Sequence, residues 1–274
     1  MQVILPIENT CVRIFPKGAI GLDSLLTRCI EIYNFHRKGN YRLFRYLLKD
    51  GKSHPVAVIC PGGGYHRIDS YAEGYPYARK LNSMGYHAFV LYYRYDENGS
   101  WPIPMEDLVR AIREISSHAG LWNLDMENYS LWGSSAGGHL AALFATESGY
   151  ARYGLPRPGA VILSYPVITM GPFTHPGSRD HLLGPSPSAS LVRHTSAENQ
   201  ITADYPPTFL WWSSDDAVVD PENSLIMHRA LEEKGVPHES RCYSDVAHGV
   251  GIGLGLPCEG WFERAVAFWE KYRT

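Results

Sequence analysis

Short apolar runs alternate with amphipathic stretches along the chain, the pattern of a mostly parallel sheet covered by helices. The runs predict strands over 41–48, 56–60, 88–92, 129–132, 160–164, 208–212 and 239–243. Leu108, Ile112 and Ile115 recur at i, i+4 and i+7, which predicts a helix over 106–116. Phe262, Ala265, Val266 and Trp269 repeat that stripe near the C-terminus. A third helix starts at Asp220-Pro221-Glu222, where Asp caps and Pro suits the first turn because its missing N–H has no partner there. Two stretches break the alternation. Residues 18–40 carry no clear period, and 169–207 is rich in Gly, Pro and Ser. A loop that long inside one domain is usually functional, so 169–207 is expected to cover a site as a lid. The whole chain, 1–274, reads as a single domain.

Glycine-centred motifs follow several of these strands. Gly133-Ser134-Ser135-Ala136-Gly137 sits between the apolar run at 129–132 and a helix-like run starting at His139. A Gly-x-Ser-x-Gly at that junction fits a sharp turn that holds Ser135 at a strained φ/ψ, with small neighbours allowing close backbone approach. The helix that begins at Ala136 points its positive end at the serine. Pro61-Gly62-Gly63-Gly64-Tyr65 follows the strand at 56–60. Its unshielded N–H groups can stabilise an oxyanion, each donor being worth roughly 3 kcal/mol in a transition state. A phosphate cradle would need a following Lys-Ser/Thr, which is absent.

The strand at 208–212 runs into Asp215, Asp216 and Asp220. Asp220 is accounted for as a helix cap. Asp215 and Asp216 are adjacent in extended chain, so one of the two points inward. Among 12 histidines, His248 lies in a loop after the strand at 239–243, flanked by small residues, where a base can reach Ser135. His238 precedes that strand and belongs at the opposite edge of the sheet. Tyr65 and Tyr165 flank the glycine loop and a strand end, and are expected to line a substrate pocket.

Composition narrows the setting. Lys+Arg number 25 and Asp+Glu 28, so neither nucleic acid nor an anionic membrane is expected as a partner. No apolar run approaches the ~20 residues that span a bilayer. The first fifteen residues lack a basic stretch followed by an apolar core, so no secretory signal is expected. Five widely spread cysteines with no CxxC pair suit free thiols in a reducing cytoplasm. HExxH and clustered Cys/His ligands are absent, so no metal or other cofactor is expected.

The order glycine loop, Ser135, aspartate, His248 is that of an α/β-hydrolase sheet. With Leu91-Tyr92-Tyr93-Arg94-Tyr95, Pro206-Pro207-Thr208-Phe209-Leu210 and Ala247-His248-Gly249, the chain resembles α/β-hydrolase esterases related to acetyl-xylan esterases and the hormone-sensitive-lipase-like carboxylesterases. Two positions depart from that pattern: Pro61 stands where many relatives have His, and Asp220 where many have Pro. The resemblance implies Ser135 as nucleophile, His248 as general base and Asp216, heading Asp216-Ala217-Val218-Val219, as the group that orients it. It implies an oxyanion hole from the N–H groups of Gly63, Gly64 and Ala136. The expected activity is hydrolysis of short acyl esters, acetyl above all, on small sugars or xylo-oligosaccharides. An amide hydrolase of peptidase or arylformamidase type would use the same groups, and a binding protein on the same fold would need none of them. The expected partner is a small-molecule ester. A homo-oligomer is compatible with the chain.

Overall fold

The computed structural model describes residues 41–273. Segment 18–40, Cys11 and Cys29 lie outside the described residues. Strands β1 (Arg42–Tyr46), β2 (His54–Cys60), β3 (His87–Tyr92), β4 (Leu124–Ser134), β5 (Ala160–Ser164), β6 (Thr208–Ser213) and β7 (His238–Tyr243) form one sheet in the order β1-β3-β2-β4-β5-β6-β7. Only the β1–β3 pair in it is antiparallel. This is the α/β-hydrolase arrangement, with helices on both faces.

Strand periodicity sorts the side chains between two cores. Val56, Val58 and Cys60 of β2 join α3 (Ile103–Ser117), α4 (Ser135–Phe144) and α7 (Glu222–Glu233) on one face. Ala57 and Ile59 join α2 (Tyr75–Ser83) and α8 (Trp261–Lys271) on the other. The predicted stripes are these contacts: Leu108, Ile112 and Ile115 are fully buried, as are Phe262, Ala265 and Trp269. Each such large side chain contributes roughly 1.5–3 kcal/mol by leaving water. The N-cap of α7 is Pro221 rather than Asp220; Asp220 lies one residue before it and folds the approach as an Asx turn, its Oδ1 accepting from Glu222 N at 2.9 Å.

Three elements differ from the sequence expectation. β4 begins at Leu124 rather than residue 129, because a short alternating stretch, Leu124-Asp125-Met126-Glu127, joins the apolar run across a bulge. There the pairing jumps from Pro55↔Asp125 to Ala57↔Ser130, and Asn128 takes φ 53°. His238 is the first residue of β7 rather than preceding it. It pairs with Thr208 and so stays at the strand's N-terminal end, opposite the end that leads to His248. Segment 169–207 is not structureless. It forms α5 (Pro176–Leu183) and α6 (Ala189–Thr195), whose N-termini are capped by the His175 and Ser188 side chains. Its Gly/Pro/Ser content masks the helices because those residues supply the caps and breaks between them. No helix of the described residues is long and apolar enough to cross a membrane.

Candidate active site

Because β2, β4, β6 and β7 run parallel, the loops that follow them open on one edge of the sheet, where ligands bind in folds of this kind. The four motifs meet there. β4 ends at Ser134 in extended conformation, Ser135 takes φ 51°, and α4 begins at once. A positive φ costs a serine energy and holds its side chain above the turn. Gly137 is sterically required: a Cβ there would lie 2.0 Å from Cys60 O in β2. Gly63 is required as well, with φ 122° and a virtual Cβ 2.2 Å from Arg67 O. The glycine loop is folded by His66 N and Arg67 N donating to Gly63 O, and by Asp69 N donating to Gly62 O. Gly63 N and Gly64 N donate to no acceptor among the described residues. Ala136 N, in the first turn of α4, has no intrahelical partner.

Ser135 Oγ lies 2.9 Å from His248 Nε2, and His248 Nδ1 lies 2.7 Å from Asp216 Oδ2. Asp216 accepts only when ionised, so Nδ1–H donates to it and Nε2 is left to accept the Ser135 proton. The other Asp216 oxygen, Oδ1, accepts from Val218 N and Val219 N, each at 2.9 Å. Burial by itself would raise the Asp216 carboxyl. The His248 hydrogen bond and charge, with the two backbone donors, outweigh it and hold the group below the ordinary carboxylate range. The two aspartates part in the turn that follows β6, not by strand alternation: the Asp216 side chain is 2% exposed, whereas Asp215 is exposed and accepts from Asp245 N at 2.8 Å. Asp215 thereby ties down the loop that leads to His248.

The tyrosines are placed otherwise than expected. Tyr65 and Tyr165 are both buried behind the site, not on its wall. Tyr65 Oη donates to His139 Nδ1 at 2.8 Å, and His139 Nε2–H donates to Thr195 O at 2.6 Å. That chain supports the glycine loop from α4 and α6. Tyr165 packs edge-on against the His248 ring, centroids 4.8 Å apart, and its Oη accepts from Gly251 N. The aromatic side chain on the pocket wall is Tyr71, 88% exposed. It was invisible to the sequence reading because nothing in a lone Tyr marks its exposure. The pocket, about 440 Å³, opens over Ser135 and His248, and its polar wall carries His66, Arg67, Asp69, His175 and His181.

Sequence reasoning also missed Glu73, the last residue of the short helix α1 (Ser70–Glu73). It is 2% exposed, and its Oε2 accepts from Gly62 N at 2.7 Å. Burial raises its carboxyl above the ordinary value, partly countered by the Gly62 N–H, the Tyr165 hydroxyl and nearby His248. Glu73 thus joins the glycine loop to the tyrosine that backs the histidine. Its sequence signal is faint, because its main partner is a backbone N–H. Replacing Glu73 by Gln keeps an acceptor for Gly62 N and should keep kcat near that of the parent. Replacing it by Ala frees the loop and should lower kcat roughly 10²-fold at little change in KM, the usual cost of ångström-scale misplacement. Steady-state kinetics on an aryl acetate decide this, and equal losses in both variants refute it.

The chain matches the BD-FAE family over residues 46–231. It is 34% identical over 241 residues to endo-1,4-beta-xylanase B of Butyrivibrio fibrisolvens, covering 84% of this chain and 38% of that protein. It is 31% identical over 221 residues to the acetylxylan esterase of Xylanibacter ruminicola, covering 79% of this chain and 44% of that protein. The chain therefore spans less than half the length of these curated relatives. The crystal structure of an acetyl ester-xyloside bifunctional hydrolase from Caldicellulosiruptor lactoaceticus superposes with a TM-score of 0.79 at 35% identity, over 86% of this chain and 90% of that one. With the match extending from β1 into α7 and the same sheet in a 35%-identical structure, the chain belongs to the BD-FAE family and has the α/β-hydrolase fold.

Proposed function

We propose that this protein is a serine carboxylic ester hydrolase that removes short acyl groups, acetyl foremost, from small sugars or xylo-oligosaccharides. The observation that carries the reading is the unbroken line Ser135–His248–Asp216 beside backbone N–H groups that lack acceptors among the described residues. His248 Nε2 takes the Ser135 proton as Oγ attacks the ester carbonyl carbon. The carbonyl oxygen becomes an oxyanion held by the N–H groups of Gly63, Gly64 and Ala136, while ionised Asp216 stabilises the imidazolium. His248 returns the proton to the leaving alcohol as the C–O bond breaks, leaving an acyl-serine. Water, deprotonated by His248, then attacks that carbonyl, and collapse of the second tetrahedral intermediate releases the acid and restores the Ser135 hydroxyl.

The pocket supports a short acyl group and a polar alcohol. Its aliphatic lining is limited to Ile68, Ala72 and Val218. A longer chain gains about 0.8 kcal/mol per buried methylene only where an apolar channel receives it. Tyr71 offers an exposed ring face to a sugar, and Arg67, Asp69 and the histidines offer partners to its hydroxyls. The likeness to an endo-1,4-beta-xylanase and to an acetylxylan esterase supports this substrate class. The unpaired thiols of Cys60, Cys242 and Cys258 support the reducing cytoplasm as its location.

A series of aryl esters from acetyl to octanoyl, with acetylated xylo-oligosaccharides and an N-acetyl aryl amide alongside, tests the reading. The expected order of kcat/KM falls with chain length, with release of acetate from the oligosaccharides and little amide cleavage. Preference for octanoyl over acetyl, or for the amide over the ester, rejects it.

A further inference from the structure

His66 and His181, both on the pocket wall, come together with Asp96. His66 follows the glycine loop. Asp96 lies in the turn after β3, with φ 56° and its N–H donating to Tyr65 O at 2.8 Å. His181 stands on α5. One ligand atom from each lies within 4.8 Å of the other two. The His66 and His181 rings are 4.8 Å apart at 35°. His66 Nδ1 and Asp96 Oδ1 are 3.7 Å apart, too far for a hydrogen bond. A tetrahedral ion with bonds of about 2.0–2.1 Å sets its ligands roughly 3.3 Å apart, so the three groups need close by up to about 1.5 Å. His66 and Asp96 are half exposed and free to make that adjustment.

A second observation concerns the tautomer. His181 Nδ1 lies 2.6 Å from Gly177 O, and a carbonyl only accepts. Nδ1 therefore carries the proton and Nε2 the lone pair. A backbone carbonyl on the far nitrogen is the arrangement that orients and sharpens a metal-binding imidazole.

We propose that His66, Asp96 and His181 form a binding site for a divalent transition cation, zinc being the ion such a two-imidazole, one-carboxylate set suits, and that the ion clamps α5 to the glycine loop. The set is borderline-soft and nitrogen-rich, which disfavours magnesium and calcium. A fourth coordination position is left for water or a substrate hydroxyl. The three residues are 30 and 85 positions apart in sequence, so no ligand spacing along the chain marks them. The clamp does not depend on the esterase reading, since it ties two surface segments whatever the pocket binds.

Calorimetric titration of chelator-stripped full-length protein with Zn²⁺ tests it. One ion per chain should bind in the micromolar range or tighter, and should raise Tm. Asp96→Asn, which keeps the shape of an exposed side chain, should weaken binding roughly tenfold or more. His181→Gln should weaken it further, and millimolar Mg²⁺ should not compete. Co²⁺ should give the visible absorption of a four-coordinate site in the parent and lose it in Asp96→Asn. Circular dichroism of the metal-free variants separates a lost ligand from a lost fold. Wild-type Zn²⁺ affinity in folded Asp96→Asn and His181→Gln, or no saturable binding by the parent, overturns the proposal.

Discussion

Replacing Ser135 by alanine should lower kcat on an aryl acetate by on the order of 10⁵-fold while the far-ultraviolet circular dichroism and Tm stay close to those of the parent. The size follows from the geometry. Without Oγ there is no acyl-enzyme, and only oxyanion stabilisation and binding remain to assist direct attack by water. The fold should tolerate the change because Ser135 Oγ bonds only to His248 among the described residues, while the backbone O of residue 135 keeps its bond from Val167 N at 3.0 Å. Asp216→Asn should cost about 10⁴-fold by a different route. An amide nitrogen facing His248 Nδ1 turns the imidazole to the tautomer whose Nε2 carries the proton, and that nitrogen can no longer accept from Ser135. A fluorophosphonate should label the parent at Ser135 and leave Ser135→Ala unlabelled. Wild-type turnover in Ser135→Ala, or undiminished labelling of it, sinks the nucleophile assignment.

How much of this was legible beforehand depended on where each constraint acts. The elbow and the glycine loop are local: a positive φ, and a neighbouring strand so close that a Cβ would lie 2.0 Å from its carbonyl oxygen, exclude side chains at fixed offsets, so the chain displays them as glycines. Both apolar stripes were legible because α3 and α8 lie flat on the sheet. Asp216 was separable from Asp215 only by the resemblance, since spacing places both at one strand end. Glu73 and Tyr71 were not legible. One acts on a backbone N–H eleven positions away, and the other is marked only by being uncovered. Tyr65 and Tyr165 were drawn to the pocket by their place in the chain, but each has its hydroxyl bonded behind the site, so each serves as support. The half of β4 before the bulge escaped notice because Leu124-Asp125-Met126-Glu127 is too short a run to mark a strand and the positive-φ Asn128 cuts it off from the apolar run that follows.

Stability should fall steeply as the pH is lowered from about 6.5 to about 4, owing to two histidines buried in the neutral form. His139 accepts from Tyr65 Oη at Nδ1 and donates to Thr195 O from Nε2. His87 accepts from Leu48 N at Nδ1, 3.1 Å, and donates to Asn123 O from Nε2, 3.2 Å. Each therefore needs one bare nitrogen. At His87, protonation would set the new N–H facing the Leu48 N–H, two donors with no acceptor between them; at His139 the Tyr65 hydroxyl would have to turn and accept, and burial of the charge carries the cost. Burial, only partly countered by the backbone carbonyl, pushes both down to about 4 from an ordinary 6.5. A histidine depressed in the folded state leaves the unfolded chain holding more protons between those two values, so stability rises with pH across the window and is constant above it. Each contributes a slope of up to about 1.4 kcal/mol per pH unit and of order 3 kcal/mol in all. Together that is a large share of the roughly 5–15 kcal/mol that holds a domain of ordinary stability folded. Glu73 acts in the opposite sense, since its raised carboxyl favours the fold below the ordinary carboxylate value and loses that advantage as the pH climbs through its own. Asp216 acts on the acid side of the window, its depressed carboxyl losing its contribution only as the pH drops below about 4. Urea unfolding at half-unit steps from pH 7.5 to 4.5 reads the slope. His87→Gln offers the same acceptor and donor with no proton to gain, so its profile should be flatter than the parent's by about 1.4 kcal/mol per pH unit, with the difference vanishing above pH ~7. Parallel profiles for parent and variant would mean that His87 is protonated as readily in the fold as outside it, and the neutral hydrogen-bond assignment would have to be abandoned.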